Sequence, residues 1–311
     1  MITTRKLFTT GQLKEMMSDC TMCPRECHAN RMLLKKGFCG ETDKVRVARS
    51  ALHFWEEPCV SGDCGSGAVF FSGCNVGCVF CQNYQIARDD VGMEVSISQL
   101  SELFCELMAQ GAVNINLVTP SHFVPQIILA LRDAKSRGMT LPIVYNTSAY
   151  EKVETLRLLE GLVDVYLPDF KYISSDRAMR YSRAADYPEI AKAAIAEMIR
   201  QTGSLAFEDG LLKRGVIVRH LCMPGGVKEA KMIIKYLYET YHDSVFVSIM
   251  SQYTPISANL LEYPEINRQL SKREYARVVQ YAMDIGMENA FIQENGVDIE
   301  SFIPNWNMKD R

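Results

Sequence analysis

The sequence predicts an α/β fold: a partial, TIM-like (β/α)6 barrel preceded by a small N-terminal cysteine-rich, metal-binding segment. From residue 68 onward, apolar runs of strand length alternate with segments of helical periodicity, which is typical of βα units around a parallel sheet. Polar side chains follow each predicted strand. Of the 11 cysteines, four lie within 20–39 and three within 74–81. Together these observations predict a barrel with a metal-binding module in front of it.

The length and composition fit one large globular domain with smaller additions. The chain has 311 residues, of which 48% are hydrophobic and 23% are charged, so it can bury a large core. We expect a cysteine-rich segment at 1–67 and the barrel at 68–255. At 256–311 we expect a C-terminal extension of helix and strand that packs on the barrel.

Charge and hydropathy exclude several classes of partner. A net charge of −3 disfavours a nucleic-acid partner, because such partners are bound by clustered cations. No apolar stretch approaches the roughly 20 residues that span a bilayer, so we expect no membrane partner. Residues 1–10 lack the apolar core of a signal peptide. We therefore expect a cytoplasmic protein with reduced thiols.

Six strands and six helices are predicted in alternation. The predicted strands are 68–73, 113–119, 141–146, 163–169, 215–222 and 244–250. The predicted helices are 98–108, 123–137, 151–160, 186–202, 226–241 and 271–286. The first helix opens with Ser98, a residue type that caps helix N-termini. The longest irregular regions are expected at 40–67 and 252–270.

The residues that follow the strands are candidates for an active site. They are Thr119, Ser121, His122, Asn146, Thr147, Ser148, Asp169, Lys171, Arg219, His220, Ser251 and Gln252. Active sites of βα barrels lie at the C-terminal ends of the strands. We therefore expect these side chains to share one face with the loop that follows the first strand.

That first loop carries Cys74, Cys78 and Cys81 in a C-x3-C-x2-C spacing. An iron–sulfur cluster normally takes four cysteine ligands, so three thiolates would leave one iron of a four-iron cluster open to a ligand. The alternative is a structural zinc site or a set of redox thiols.

The loop resembles the cluster loop of the radical S-adenosylmethionine (SAM) superfamily, whose pattern is C-x3-C-x-(aromatic)-C, with Phe80 as the aromatic residue. The resemblance implies a catalytic [4Fe-4S] cluster on Cys74, Cys78 and Cys81, with SAM on the open iron. It also implies reductive cleavage of SAM to a 5′-deoxyadenosyl radical that abstracts hydrogen. An electron donor such as flavodoxin or ferredoxin would then be required.

Further motifs are similar to those of the activating enzymes of glycyl radical enzymes, which implies a SAM-binding role for five residues. Asn83 corresponds to a family Asn close to SAM. Asn146 and Thr147 stand where the family has Asp-Thr, and the change to Asn weakens a cation site. Asp169 and Lys171 match a strand end that holds the SAM carboxylate, the Lys directly and the acid through a monovalent cation. A structural Asp169–Lys171 ion pair is the alternative.

The match covers about residues 68–255 and has departures. Many radical SAM proteins have Gly-Gly-Glu after the second strand to bind the SAM amine, but this chain has Thr-Pro-Ser-His. Oxygen atoms of Thr119 or Ser121 would replace that Glu. A carboxylate-binding His that follows a Pro-Gly turn in the family is also missing, so Arg219 or His220 would take its role.

Cys20, Cys23, Cys27 and Cys39 form a second set, spaced C-x2-C-x3-C-x11-C. Short segments that cannot bury a core often bind a metal, and the spacing fits either zinc or a second iron–sulfur cluster. Four unlinked thiols are the alternative. This N-terminal pattern resembles proteins labelled as similar to the pyruvate formate-lyase activating enzyme.

The remaining cysteines have weaker assignments. Cys59 and Cys64 lie in a glycine-containing loop and can serve as ligands, as a redox pair or as a substrate contact, and plain loop thiols are the alternative. Cys105 fits a small core residue of a helix. Cys222, at a strand end, is a further candidate for the site.

Three functions therefore compete. The first is a radical SAM enzyme that activates a glycyl radical enzyme, and the second is radical modification of a small molecule or peptide. The third is a non-catalytic iron–sulfur or zinc scaffold, which would neither bind nor cleave SAM.

Overall fold

The computed structural model describes residues 8–255 and 258–293, with 10 strands and 10 α-helices in that part of the chain. The strands are β1 Val45–His53, β2 Ser66–Phe71, β3 Met93–Val95, β4 Ile115–Val118, β5 Ile143–Thr147, β6 Val165–Pro168, β7 Ala206–Glu208, β8 Leu211–Leu221, β9 Phe246–Met250 and β10 Ala290–Ile292. The α-helices are α1 Thr10–Ser18, α2 Pro58–Ser61, α3 Tyr84–Arg88, α4 Ile97–Ala109, α5 Val124–Ser136, α6 Val153–Arg157, α7 Ser175–Ser182, α8 Tyr187–Thr202, α9 Val227–Tyr241 and α10 Lys272–Asp284.

The strands form a sheet in the order β10-β9-β8-β6-β5-β4-β2-β1-β3, and every neighbouring pair from β2 to β10 is parallel. Strands β1, β3 and β7 are antiparallel additions. Residues of β2 and β10, the first and last parallel strands, line the same cavity. The sheet therefore curves into a partial barrel, and the predicted fold class is confirmed.

The barrel strands are buried on both faces, which is the pattern of a parallel sheet covered by helices. All residues of β2, β4 and β6 are buried. Local sequence signals start the covering helices. Ser96 and Gln99 form a capping box at α4, and Ser271 and Glu274 form one at α10. Proline occupies the first turn of α5 and of α8, where its missing N–H has no cost.

The sequence predictions differ from the structure at several elements. The region 40–67 was expected to be irregular, but it contains β1 and α2, and β1 pairs with β2. The predicted helix 151–160 is helical only over Val153–Arg157. Helix α7 is absent from the predicted helices, and strand β10 lies in the extension of helix and strand expected at 256–311 but not among the six predicted barrel strands. Because β10 adds a seventh parallel strand, six βα units underestimate the sheet.

The predicted division at 67 and 255 stays a prediction. Within the extension expected at 256–311, α10 and β10 lie in the described part of the chain, whereas 256–257 and 294–311 lie outside it. No helix of the described residues is long and apolar enough to cross a membrane.

Candidate active site

A cavity of about 550 Å³ opens where the parallel strands end. Its volume lies in the range of small-molecule sites, about 300–1,000 Å³. Thirteen of the predicted site residues line it: Cys74, Cys78, Phe80, Cys81, Asn83, Thr119, Asn146, Thr147, Ser148, Asp169, Lys171, Arg219 and Gln252. The fold thus brings most of the predicted site together. Ser121, His122, His220 and Ser251 are not among the lining residues.

The loop that carries the three cysteines depends on two glycines. Gly73 (φ +82°) and Gly77 (φ +69°) adopt left-handed backbone conformations, which glycine tolerates best. A Cβ at Gly73 would also lie 2.7 Å from the carbonyl oxygen of Cys39, and one at Gly77 would overlap the guanidinium of Arg88. Neighbouring segments therefore pack directly on the loop backbone and fix its path.

The thiols of the loop are shielded from water and close to one another. Burial raises the pKa of Cys78 above its usual range. Burial, followed by the nearby Cys74 and Cys78 thiols, raises the pKa of Cys81 to about 12. Reactive redox thiols have a lowered pKa. The raised pKa values therefore do not fit the redox-thiol alternative.

Phe80 anchors an aromatic shell beside the loop. Its ring lies 6.4 Å from the rings of Tyr172 and Tyr181 and 6.0 Å from the ring of Tyr253. Tyr172 is fully buried, and Tyr253 donates a hydrogen bond of 2.8 Å to the carbonyl of Ile266. This shell keeps water away from one side of the cysteines.

Helix α7 contributes a hydrogen bond to a thiol of the loop. Ser182 donates from its Oγ to the Sγ of Cys78 at 3.1 Å, and its Oγ lies 2.8 Å from the hydroxyl of Tyr172. The backbone N–H of Val79 also donates to the carbonyl of Tyr181. Sequence reasoning missed Ser182 because α7 itself was not predicted.

Lys171 and Asp169 form an ion pair inside the cavity, with Nζ 2.5 Å from Oδ2. Burial alone would lower the pKa of Lys171, but the charges of Asp169 and Cys78 outweigh it and raise this pKa above its usual value. The hydroxyl of Tyr187 bonds the Asp169 carbonyl at 2.6 Å and accepts from the Lys171 N–H at 2.9 Å. The ammonium group is therefore charged and held in place.

Arg219 is committed to two carboxylates. Its Nε donates to Glu57 at 2.9 Å, and its Nη2 donates to both Glu56 and Glu57. The amide of Asn116 also donates to Glu56 at 2.7 Å. Because Arg219 has two anionic partners and Lys171 has one, Lys171 is the better partner for an anionic ligand. The expectation that Arg219 binds a carboxylate ligand stays a prediction.

His220 and Ser121 have hydrogen-bond partners within the protein. The Nδ1 of His220 lies 2.9 Å from the carbonyl of Phe170, and the buried His220 does not line the cavity. Ser121 donates to the buried carboxylate of Glu151. Thr119, whose backbone has a φ of +58°, does line the cavity. Of the two residues expected to offer an oxygen atom at this strand end, it is the one that lies at the cavity.

Glu151 is a buried acid that contacts Thr147, a residue of the cavity wall. Its Oε1 accepts hydrogen bonds from Ser121, Thr147 and Tyr145, whereas its Oε2 has no hydrogen-bond partner among the described residues. Burial raises the pKa of Glu151 to about 7, although the hydroxyl donors lower it. Its charge state therefore changes near neutral pH.

The N-terminal cysteine segment packs on the cluster loop. The N–H of Cys74 donates to the carbonyl of Cys39 at 3.2 Å. Arg25 donates to the carbonyls of Asn75 at 2.9 Å and Val76 at 3.0 Å. Arg25 also donates to the carbonyls of two residues at the end of α7, Ser182 and Arg183. The spacing of the N-terminal cysteines marks this segment as a metal-binding candidate, but it does not show that Arg25, which follows Cys23 and Pro24, contacts the loop.

The second cysteine set lies mostly inside the protein. Cys20, Cys23 and Cys39 are buried, and Cys27 is exposed. Burial, together with the Cys39 and Cys20 thiols, raises the pKa of Cys23 to about 12. In residues 8–255 and 258–293, no three Cys, His, Asp or Glu side chains converge as ligands of one metal ion. The zinc alternative at these cysteines stays a prediction.

The remaining cysteines lie away from the candidate site. Cys59 and Cys222 are buried, and Cys64 is exposed, but none of them lines the cavity. Cys105 is half-buried on α4 and packs against the core.

Comparisons with known proteins yield one sequence relative and several solved structures. No protein-family model matches the chain. An uncharacterized protein of Methanocaldococcus jannaschii is 29% identical over 275 residues, which cover 86% of this chain and 75% of that protein.

Streptococcus suis SuiB, solved with S-adenosylmethionine, matches 73% of this chain with 12% identity and a TM-score of 0.49. A radical SAM methyltransferase from Sphaerobacter thermophilus matches 76% of this chain and 69% of its own, with 17% identity and a TM-score of 0.49. The match spans about half, 49%, of SuiB.

Proposed function

We propose that this protein is a radical SAM enzyme that cleaves S-adenosylmethionine reductively and uses the product to abstract a hydrogen atom. One observation carries the proposal: the three cysteines of the C-x3-C-x2-C loop lie in one cavity with the Lys171–Asp169 pair. A scaffold would not need a charged, buried ammonium group beside its metal ligands.

The residues present fit a four-iron cluster with an open position. Cys74, Cys78 and Cys81 face the same cavity, and Ser182 supplies a hydrogen bond to one of the sulfurs. Each thiolate of such a cluster binds its own iron, so the sulfurs need not converge on one point. When bound, the reduced cluster would supply the electron that cleaves SAM to a 5′-deoxyadenosyl radical.

The protein's own residues would bind SAM and exclude water. Lys171 would donate a charge-assisted hydrogen bond to the SAM carboxylate, which is strong in a water-poor site. Asn83, Thr119 and Asn146 present polar atoms to the same cavity. The shell around Phe80 would protect a reactive radical from solvent.

The cavity favours a small polar substrate over the glycine of a partner enzyme. Glu56, Glu57 and Arg219 form a charged group in the cavity wall, with one net negative charge when all three are ionised. A backbone glycine offers no charge to match such a group, whereas a small molecule or peptide with a cationic or hydrogen-bond-donating group does. Activation of a glycyl radical enzyme stays the second candidate on the resemblance of the motifs. Both candidates require a one-electron donor such as flavodoxin or ferredoxin.

The test is 5′-deoxyadenosine formation from SAM by anaerobically reconstituted protein with a strong reductant. We expect formation by the wild type and by the control Cys105→Ala, and none by Cys78→Ala. If the wild type binds a cluster but neither binds nor cleaves SAM, the scaffold alternative holds.

A further inference from the structure

Arg31 is a fully buried cation, 0% exposed, beside the N-terminal cysteines. Its Nε donates to the carbonyl of Thr42 at 2.9 Å, and its Nη1 donates to the carbonyl of His122 at 2.6 Å. The same Nη1 lies 4.0 Å from the Sγ of Cys20. Among the residues that the structure describes, no carboxylate lies within ion-pair distance of Arg31.

A buried charge without an opposite charge is costly, so Arg31 requires a nearby anion. The buried carboxylate of Glu41 is already engaged by Arg46, at 2.8 and 3.0 Å. Besides the carbonyl of His122, the Nη1 of Arg31 contacts the thiol of Cys20. A metal-bound thiolate at Cys20 would supply the missing negative charge.

The backbone gathers the other cysteines around Cys20. Cys20 and Ala29 form an isolated antiparallel bridge, which brings the two ends of the segment between them together. The Sγ of Cys27 lies 4.0 Å from the carbonyl of Cys20. A Cβ at Gly37 would lie 2.4 Å from that Sγ, so the Cys27 thiol packs directly against the backbone of Gly37.

We propose that Cys20, Cys23, Cys27 and Cys39 bind a second iron–sulfur cluster, directly behind the loop of the open cluster. The four thiolates supply one ligand for each iron of a four-iron cluster. The contact of Cys39 with Cys74 places them against the loop of the open cluster, where a redox-active cluster can pass an electron and a zinc ion cannot.

The position of this second cluster gives it a role in electron transfer, which rests on the proposed function. Cys27 is exposed, so the cluster lies near the surface. On the opposite side, the carbonyl of Cys39 accepts the N–H of Cys74, a ligand of the open cluster. One electron would leave a reduced flavin or iron–sulfur donor protein, reduce the second cluster, and pass to the open cluster. No bond or proton changes in this transfer.

The metal site is tested by metal content in three full-length proteins, each reconstituted anaerobically. We expect about eight irons per chain in the wild type, from two four-iron clusters. The double variant Cys20→Ser/Cys23→Ser and the triple variant Cys74→Ala/Cys78→Ala/Cys81→Ala should each retain about four. Cys64→Ser is the control and should match the wild type. No iron in the triple variant, or one zinc per chain that the double variant loses, overturns the second cluster.

Electron paramagnetic resonance separates this inference from the proposed function. The remaining signal of the double variant should change when SAM is added, and the signal of the triple variant should not. If the signal of the double variant does not change when SAM is added, while the triple variant keeps its iron, the proposed function fails and the second cluster stands.

The electron-transfer role is tested by supplying the double variant with two different reductants. Reduced ferredoxin is the protein donor, and titanium(III) citrate is the small-molecule donor. We expect 5′-deoxyadenosine formation to fall at least about tenfold with ferredoxin and to stay near the wild-type rate with titanium citrate. Equal rates with ferredoxin, or an equal loss with both reductants, overturn the transfer role.

Discussion

The hydroxyl of Ser182 donates a hydrogen bond of 3.1 Å to the Sγ of Cys78, so helix α7 directly contacts a cysteine of the proposed cluster site. Hydrogen bonds to cysteine sulfurs stabilise the reduced, more negative state of an iron–sulfur cluster. The serine therefore offers a way to adjust the cluster without removing a ligand.

Ser182→Ala is expected to lower the midpoint potential of the cluster. A net hydrogen bond of about 1 kcal/mol corresponds to about 40 mV for one electron. A redox titration of the reconstituted protein, followed by electron paramagnetic resonance, measures this potential. Ser136→Ala, which removes an exposed helix-end hydroxyl, is the matched control. An unchanged potential in Ser182→Ala would show that the bond does not act on the cluster.

Lys171→Ala is expected to weaken SAM binding while cluster content stays at the wild-type level. Loss of one hydrogen bond between charged groups costs about 1.5–3 kcal/mol, or about tenfold to a hundredfold in Kd. Titration calorimetry with SAM under anaerobic conditions measures the change. Lys235→Ala, at an exposed pair with Glu239, is the control. Wild-type affinity in Lys171→Ala would contradict the assignment of the SAM carboxylate.

The sequence predicted the barrel well because its strands are continuous apolar runs whose ends carry polar residues. Each of the six predicted strands overlaps an observed strand. Helix α7 was missed because it is short and polar and lies between a strand end and a longer helix. Strand β1 was missed because its residues 49–53 are all only partly buried. That half of the strand therefore lacks the regular alternation of apolar and polar residues that predicts a strand.

The candidate site was predicted where neighbours in sequence carry the chemistry and was missed where distant segments meet. Cys74 and Lys171 follow strands, and the barrel brings all strand ends together. Arg219 also follows a strand, but spacing could not show that two carboxylates from another segment, 162 and 163 residues away, engage it. Arg25 and Ser182 reach the loop only through tertiary packing.

Arg219→Met is expected to lower the free energy of unfolding by about 3–5 kcal/mol, because Glu56 and Glu57 would be left buried without a cation. Denaturant unfolding measures this change. In the triple variant Arg219→Met/Glu56→Gln/Glu57→Gln, part of the loss should be recovered, since no unpaired carboxylate remains. The control Arg137→Met removes an exposed pair and should change stability by less than about 1 kcal/mol. A stable Arg219→Met that binds SAM poorly would instead restore Arg219 as a ligand-binding residue.

Glu151→Gln is expected to remove part of the pH dependence of stability. Burial raises the folded-state pKa of Glu151 from the usual value of 4.5 to about 7. Between these values the folded state keeps a proton that the unfolded chain has lost. Wild-type stability therefore falls as pH rises from about 4.5 to 7 and stays lower above that range.

Glutamine keeps an acceptor for Ser121, Thr147 and Tyr145 but carries no charge at any of these pH values. Relative to the wild type, Glu151→Gln should gain about 2 to 3 kcal/mol of unfolding free energy between pH 5 and pH 8. Denaturant unfolding of both reconstituted proteins at the two pH values measures this difference, and other titrating groups cancel in the comparison. A difference that does not change with pH would mean that Glu151 is ionised throughout, with its charge stabilised by the three hydroxyl groups around it.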